Sequence, residues 1–151
     1  MANSFGKIFT ISLFGESHSE AIGVVIDGIP SGVALDMDEI LFEMSRRAPG
    51  KNTFSTPRSE ADFPEIVSGV FNGITTGTPV CAMIKNTNTR SQDYHPEILR
   101  PSHADYSGKL RYNGVSDFRG GGHFSGRLTA PIVFAGAVAK QIIRKENIEI
   151  F

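Results

Sequence analysis

The apolar residues of this chain switch between two spacings, and that switch constrains its fold more than any other feature. In residues 7–14, Ile8, Thr10, Ser12 and Phe14 alternate with Phe9, Ile11 and Leu13, the period of a strand with two differently covered faces. Residues 21–27 form a second apolar strand, which ends in the turn-forming run Gly28-Ile29-Pro30-Ser31-Gly32. From Asp36 the spacing lengthens: Met37, Ile40, Leu41 and Met44 share one helical face, and Asp36 with Glu39 forms an acidic version of the capping box. Pro49 and Gly50 stop this helix near Ala48. Arg46 and Arg47 then fall in its last turn, where the helix dipole favours cations.

Further along, residues 51–63 carry few large apolar side chains and are expected to form a loop. Residues 65–71 and 74–85 flank Asn72-Gly73, a strong two-residue hairpin signal, with a bulge or bend at Thr76-Gly77-Thr78-Pro79. Residues 86–122 are polar, rich in Gly, Arg, Asp, Tyr and His, and nearly without period; so long a stretch inside a compact domain is usually functional or ordered by a partner. Residues 129–143 read as a buried helix rich in Ala and Val, with Pro131 tolerated in its first turn. Ile148, Glu149, Ile150 and Phe151 are expected to open another strand.

The chain of 151 residues, 40% hydrophobic and 21% charged, is long enough for one sizeable core, so residues 1–151 are taken as part of a single domain. A net charge of -1 excludes a global field for nucleic acid or an anionic membrane, so any anion site must be local. The lone Cys81 sits in an apolar run, which rules out a disulfide framework and thiolate metal spacing. Nothing in the chain resembles a membrane span or a signal peptide, and a soluble cytoplasmic protein is expected.

Several residues suit chemistry. Nine of the fifteen lysines and arginines are arginine, five of them between Arg90 and Arg127, and the planar guanidinium grips carboxylate and phosphate oxygens two at a time. The run Arg119-Gly120-Gly121-Gly122-His123-Phe124-Ser125-Gly126-Arg127 precedes the last helix and offers close backbone approach to an anion, although it is neither a Walker loop nor a dinucleotide fingerprint. A plain flexible loop is the competing reading. His18 and His103 lie in polar turns beside ordered elements and suit an acid-base pair. No catalytic triad order, His-Glu-x-x-His motif or paired-carboxylate cleft stands out, and no metal is expected.

Phe14-Gly15-Glu16-Ser17-His18 resembles the opening signature of chorismate synthases. The likeness continues through Ser45-Arg46-Arg47-Ala48-Pro49-Gly50, Ser68-Gly69-Val70-Phe71, Thr75-Thr76-Gly77-Thr78-Pro79, Arg90-Ser91-Gln92-Asp93-Tyr94, Arg100-Pro101-Ser102-His103-Ala104-Asp105-Tyr106 and Arg119-Gly120-Gly121-Gly122. Seven patterns in the family's order are far more specific than any one of them.

That resemblance implies an α+β fold, a layered β-α-β sandwich of antiparallel sheets and helices, incomplete at the C-terminus. It implies the anti 1,4-elimination of phosphate from 5-enolpyruvylshikimate 3-phosphate to give chorismate, with reduced FMN as cofactor and NADPH as a source of flavin reduction. A homotetramer is implied by the family alone. His18 matches the histidine that protonates the departing phosphate, His103 the one that stabilises reduced flavin, and Ser17 a serine of the proton relay around flavin N5. His123, Phe124 and Ser125 match the flavin-binding run, Arg127 the arginine that follows it, and Arg46 and Arg47 part of a cluster that holds substrate or nicotinamide nucleotide phosphate.

The chain departs from the family's usual residues at Ser19, Ala48, Ser102, His123 and Ile132. It is also about half the expected length or less, and the family's C-terminal half supplies much of the flavin site. Two other readings stay open: a flavin- or phosphate-binding remnant without catalysis, and an interaction domain whose polar middle orders on a partner.

Overall fold

The computed structural model describes residues 3–48 and 60–150, so Pro49, Gly50, most of the expected loop and Phe151 lie outside the described residues. Seven strands, β1 (Ser4–Gly6), β2 (Thr10–Gly15), β3 (Ala21–Asp27), β4 (Glu65–Ser68), β5 (Val70–Phe71), β6 (Ile74–Thr75) and β7 (Val80–Lys85), combine with helices α1 (Met37–Arg47), α2 (Asp105–Arg111) and α3 (Thr129–Arg144). Five strands form an antiparallel sheet in the order β1-β2-β3-β7-β4, and β5 with β6 makes a separate hairpin.

Alternation along the strands decides which face is covered. In the central pair Ile22 stands opposite Ile84, Val24 opposite Ala82 and Ile26 opposite Val80. All six are buried, and β2 extends the row with Ile11 opposite Ile26. Helix α3 covers this face and also packs on α1. Phe134 contributes the largest fully buried side chain, so Phe134→Ala is expected to cost about 3–5 kcal/mol. The layers are thus one antiparallel sheet and one helical layer, which agrees with the α+β expectation.

The two long helices follow the apolar spacing closely. In α1, Ile40 and Met44 are buried, and the Asp36 carboxylate accepts a hydrogen bond from Glu39 N. The second half of the capping box is absent: Glu39 pairs with Arg144 across the helix layer, at 2.6 Å and 2.9 Å. Asp36 N instead donates to Gln141 Oε1 at 2.9 Å, while Gln141 Nε2 donates to Asp36 O at 2.9 Å. The nearly buried amide of Gln141 therefore staples α3 to the start of α1.

Other expectations need correction. The strand expected over residues 7–14 starts only at Thr10, because residues 7–9 form the turn that brings β1 back against β2. The hairpin at Asn72-Gly73 exists, with both turn residues at positive φ (49° and 76°), but its arms are short. Beyond it the chain breaks at residues 76–79, β7 joins β3, and β4 pairs with β7 through a register shift between Ile66 and Ser68. Residues 148–150 form no strand and are exposed. The polar stretch of residues 86–122 is not structureless, since it holds α2 and two short 3-10 turns that begin at Ser91 and Arg119.

Candidate functional site

The turn between β2 and β3 carries Ser17 and His18, and one internal brace and two outside anchors fix its shape. Ser19 Oγ accepts from Glu16 N and donates toward the carbonyls of Glu16 and Ala21, all within 2.8–2.9 Å. Asn86, just past β7, donates its side-chain amide to Glu16 O at 3.0 Å and Ser19 O at 2.8 Å. Ser17 N donates to Gly122 O at 3.1 Å, which ties the turn to the glycine run before α3. Ser19 thus acts as the internal brace of this turn.

The glycine run takes a path open to few other residues. Gly120, Gly121 and Gly122 have φ values of 59°, 84° and 55°. A Cβ on Gly120 would stand 2.6 Å from the His18 ring and 2.8 Å from Ser17 Oγ. A side chain at this position would occupy the space that the two candidate catalytic groups fill.

One cavity of about 750 Å³ gathers most of the expected site. Ser17, His18, His103, Phe124, Ser125, Arg47 and Arg127 all line it. Its volume lies in the range of small-molecule pockets. Two expected residues are placed elsewhere. Arg46 is exposed and pairs with Glu43 on its own helix at 2.8 Å. His123 is not among the lining residues, and its Nδ1 donates to Gly15 O at 2.8 Å. Since a carbonyl only accepts, that bond fixes the proton of His123 on Nδ1.

The two expected catalytic imidazoles differ in setting. His18 is half-buried, with Nδ1 3.0 Å from Ser91 Oγ and its ring edge-on to Tyr94. His103 is exposed, and its Nδ1 donates to Pro101 O at 3.0 Å, which leaves Nε2 as the nitrogen available for chemistry.

The arginines of the cavity are less free than the sequence suggests. Arg127 is buried: Nη1 donates to Asp62 Oδ1, Nε donates to Asn86 Oδ1 at 3.1 Å, and Nε also lies 2.9 Å from Glu60 Oε2. Arg47 donates to the other oxygen of Asp62 at 2.5 Å and to Thr129 Oγ1 at 3.1 Å. Arg100 holds Asp105 through Nε at 2.8 Å and Nη2 at 2.9 Å, and the guanidinium lies over the Tyr94 ring. These bonds keep the Asp105 carboxyl down at about 2. Asp117 is likewise held low by Arg119, with bonds of 2.8 Å to both carboxylate oxygens.

Glu60, Asp62, Ser91 and Tyr94 are members of the site that sequence reasoning did not single out. Ser91 and Tyr94 lie inside a quoted motif, which was a usable signal. Glu60 and Asp62 had none, because their partner Arg127 comes much later in the chain. A second cavity of about 330 Å³ shares Tyr94, Arg100, Asp105 and Phe124 with it, and its lining also includes Ile98, Leu99 and Phe118 beside the charged Glu97, Lys109 and Asp117. Among the described residues no group of three or more His, Cys, Asp or Glu is placed to hold a metal, and no helix is long and apolar enough to cross a membrane.

Comparison with known proteins points to one family. A family model described as chorismate synthase matches residues 9–151. A chorismate synthase of Dehalococcoides mccartyi is 49% identical over 152 residues, covering 99% of this chain and 42% of that protein. One of Burkholderia multivorans is 55% identical over 145 residues, covering 95% and 39%, and one of Flavobacterium psychrophilum is 52% identical over 151 residues, covering 99% and 42%. A crystal structure of chorismate synthase superposes with a TM-score of 0.66 at 29% identity, covering 95% of this chain and 36% of that one. The chain spans about two-fifths of the length of the curated relatives it matches. With a family match over residues 9–151 and relatives about 50% identical over nearly the whole chain, the chain belongs to the chorismate synthase family.

Proposed function

We propose that this chain forms the N-terminal part of an active site that eliminates phosphate from 5-enolpyruvylshikimate 3-phosphate to give chorismate. The observation that carries the reading is the single cavity that brings Ser17, His18 and His103 together with Arg47, Arg90 and Arg100. Histidine suits proton transfer near neutral pH, and the substrate's two carboxylates and phosphate call for charge-assisted bonds of about 1.5–3 kcal/mol each.

In this reading His18 gives a proton to the departing phosphate, with Ser17 beside it. Reduced FMN, when bound, supplies electron density as the bond to phosphate breaks and recovers it as the C–H bond is lost. The residues present fit such a group: Phe124 and Tyr94 offer aromatic walls, Ser125 a hydroxyl, and His103 a nitrogen fixed for interaction at Nε2. Arg127 supports that wall from within its buried ion pair, and Arg47 stands beside it for a phosphate. His123 enters the flavin site and Arg46 the phosphate cluster on the strength of resemblance alone. NADPH as reductant, a cytoplasmic location and a homotetramer belong to the same proposal and rest on the family.

The competing reading is flavin or phosphate binding without turnover. Incubation of the purified chain with reduced FMN and substrate under anaerobic conditions separates the two. Release of phosphate with formation of chorismate supports the first. Flavin binding without release supports the second, and no flavin affinity at all counts against both.

A further inference from the structure

His18 is held on several sides by residues distant in sequence. Its Nδ1 lies 3.0 Å from Ser91 Oγ, and its ring meets Tyr94 edge-on, with centroids 5.2 Å apart and planes at 86°. Ser91 opens a 3-10 turn, Ser91–Asp93, and Tyr94 closes it by donating its N–H to Ser91 O. Tyr94 is in turn backed by Arg100, 5.2 Å from its ring centroid, which is locked by two bonds to Asp105. A Cβ on Gly120 would meet the far edge of the imidazole, Nε2 and Cδ2, at 2.6 Å. The ring therefore presents Nε2 beside the glycine run, while Nδ1 faces a hydroxyl.

Which nitrogen of an imidazole carries the proton is set by what the other one meets. A serine hydroxyl can donate or accept, but opposite an imidazolium it must accept from Nδ1–H, and it can keep that role in the neutral ring left once Nε2 has released its proton. A carboxylate in that place would hold the charged ring too firmly to release the proton readily.

We propose that Ser91 is the positioning residue of His18, holding the proton on Nδ1 so that Nε2 is the atom that donates to the leaving group. In that step the Nε2–H bond breaks as an O–H bond forms on the departing phosphate oxygen, and the electron pair stays on the ring. The identity of the acceptor rests on the function proposed above; the tautomer does not. Asp93 and Arg90 flank Ser91 on its own segment, Arg100 lies behind Tyr94, and Asp117, close enough to feel the charge of His18, is paired with Arg119. A Ser91 substitution leaves all of these charges in place.

The test uses the 151-residue chain with 15N-labelled histidine and long-range 15N–1H correlation spectra recorded through a pH titration. The native chain is expected to show neutral His18 protonated on Nδ1. In Ser91→Ala the pattern should move toward the Nε2-protonated form, and in Ser91→Thr it should remain native. His103 and His123, whose Nδ1 atoms donate to backbone carbonyls, serve as fixed internal references. In turnover, Ser91→Ala should lower kcat about 10-fold with KM unchanged and displace the pH profile, with recovery in Ser91→Thr. An unaltered His18 pattern in Ser91→Ala overturns the proposal. A native chain with the expected tautomer and no phosphate release upholds the positioning and removes the chemical reading instead.

Discussion

The guanidinium of Arg127 and the carboxylate of Asp62 face each other in the interior, with side chains 3% and 0% exposed. Asp62 turns its second oxygen to Arg47 at the cavity edge, so one carboxylate fixes two arginines from different segments. It does so at a φ of 50°, a region that Asp tolerates better than most residues.

Removing one partner of a buried pair leaves an uncompensated charge. Asp62→Asn keeps the shape and the backbone tolerance, and is expected to lower stability by about 3 kcal/mol, the low end for such pairs because Glu60 remains beside Arg127. Chemical denaturation measures this directly. The double variant Asp62→Asn/Arg127→Met should lose less than the sum of the single losses, since the two side chains touch.

His103 is exposed, and the described hydrogen bond of its side chain is a local one to Pro101 O. His103→Ala should therefore leave the circular dichroism and denaturation midpoint unchanged, within about 0.5 kcal/mol, while turnover falls roughly 100-fold. Retained turnover in an active preparation would remove His103 from the chemistry.

Gly120→Ala combines two penalties, a positive φ and crowding against His18 and Ser17. Gly114 also has a positive φ, 76°, but a Cβ there meets nothing within 4 Å. Gly114→Ala should thus lose only the conformational share, about 1 kcal/mol, with activity kept. Gly120→Ala should lose more stability and most of the activity; equal behaviour of the two would show that His18 and Ser17 do not depend on that space.

Asp105 has its pKa depressed to about 2 by Arg100, below its ordinary value of 3.8. A depressed carboxylate adds stability above its unfolded pKa, and that contribution disappears as pH falls through the folded value. Between about pH 4 and pH 2 the native chain should lose on the order of 1 kcal/mol from this pair, allowing for solvent screening of the partly exposed arginine. Asp105→Asn should be less stable at neutral pH and lack that part of the acid loss. Denaturation curves at stepped pH test the sign.

The helices α1 and α3 were legible because spacing, cap and stop signals all lie within a dozen or so neighbouring residues. β3 was equally clear, its two apolar faces both visible in seven consecutive positions. β1 was hidden because three exposed residues carry no period, and α2 because Ser107 and Gly108 weaken the helical pattern of its segment. At the site, His18, His103 and Ser17 could be named from residue type and motif. The state of the arginines could not. Whether Arg127 is free or bound to Glu60 and Asp62 depends on a loop and a helix entry that lie far apart in the sequence, and no local pattern encodes their meeting.

The three consecutive glycines before α3 separate the path of this loop from its chemistry. Ser17 N bonds to the backbone of Gly122 and His123 Nδ1 to the carbonyl of Gly15, so one main-chain bond and one side-chain bond align the two segments. Exchange of Phe124 or Ser125, whose described contacts include Tyr112 and Arg127, should therefore disturb the turn that bears His18 less than exchange of His123. The wall of the cavity can thus be retuned at Phe124 and Ser125 while the placement of His18 is kept.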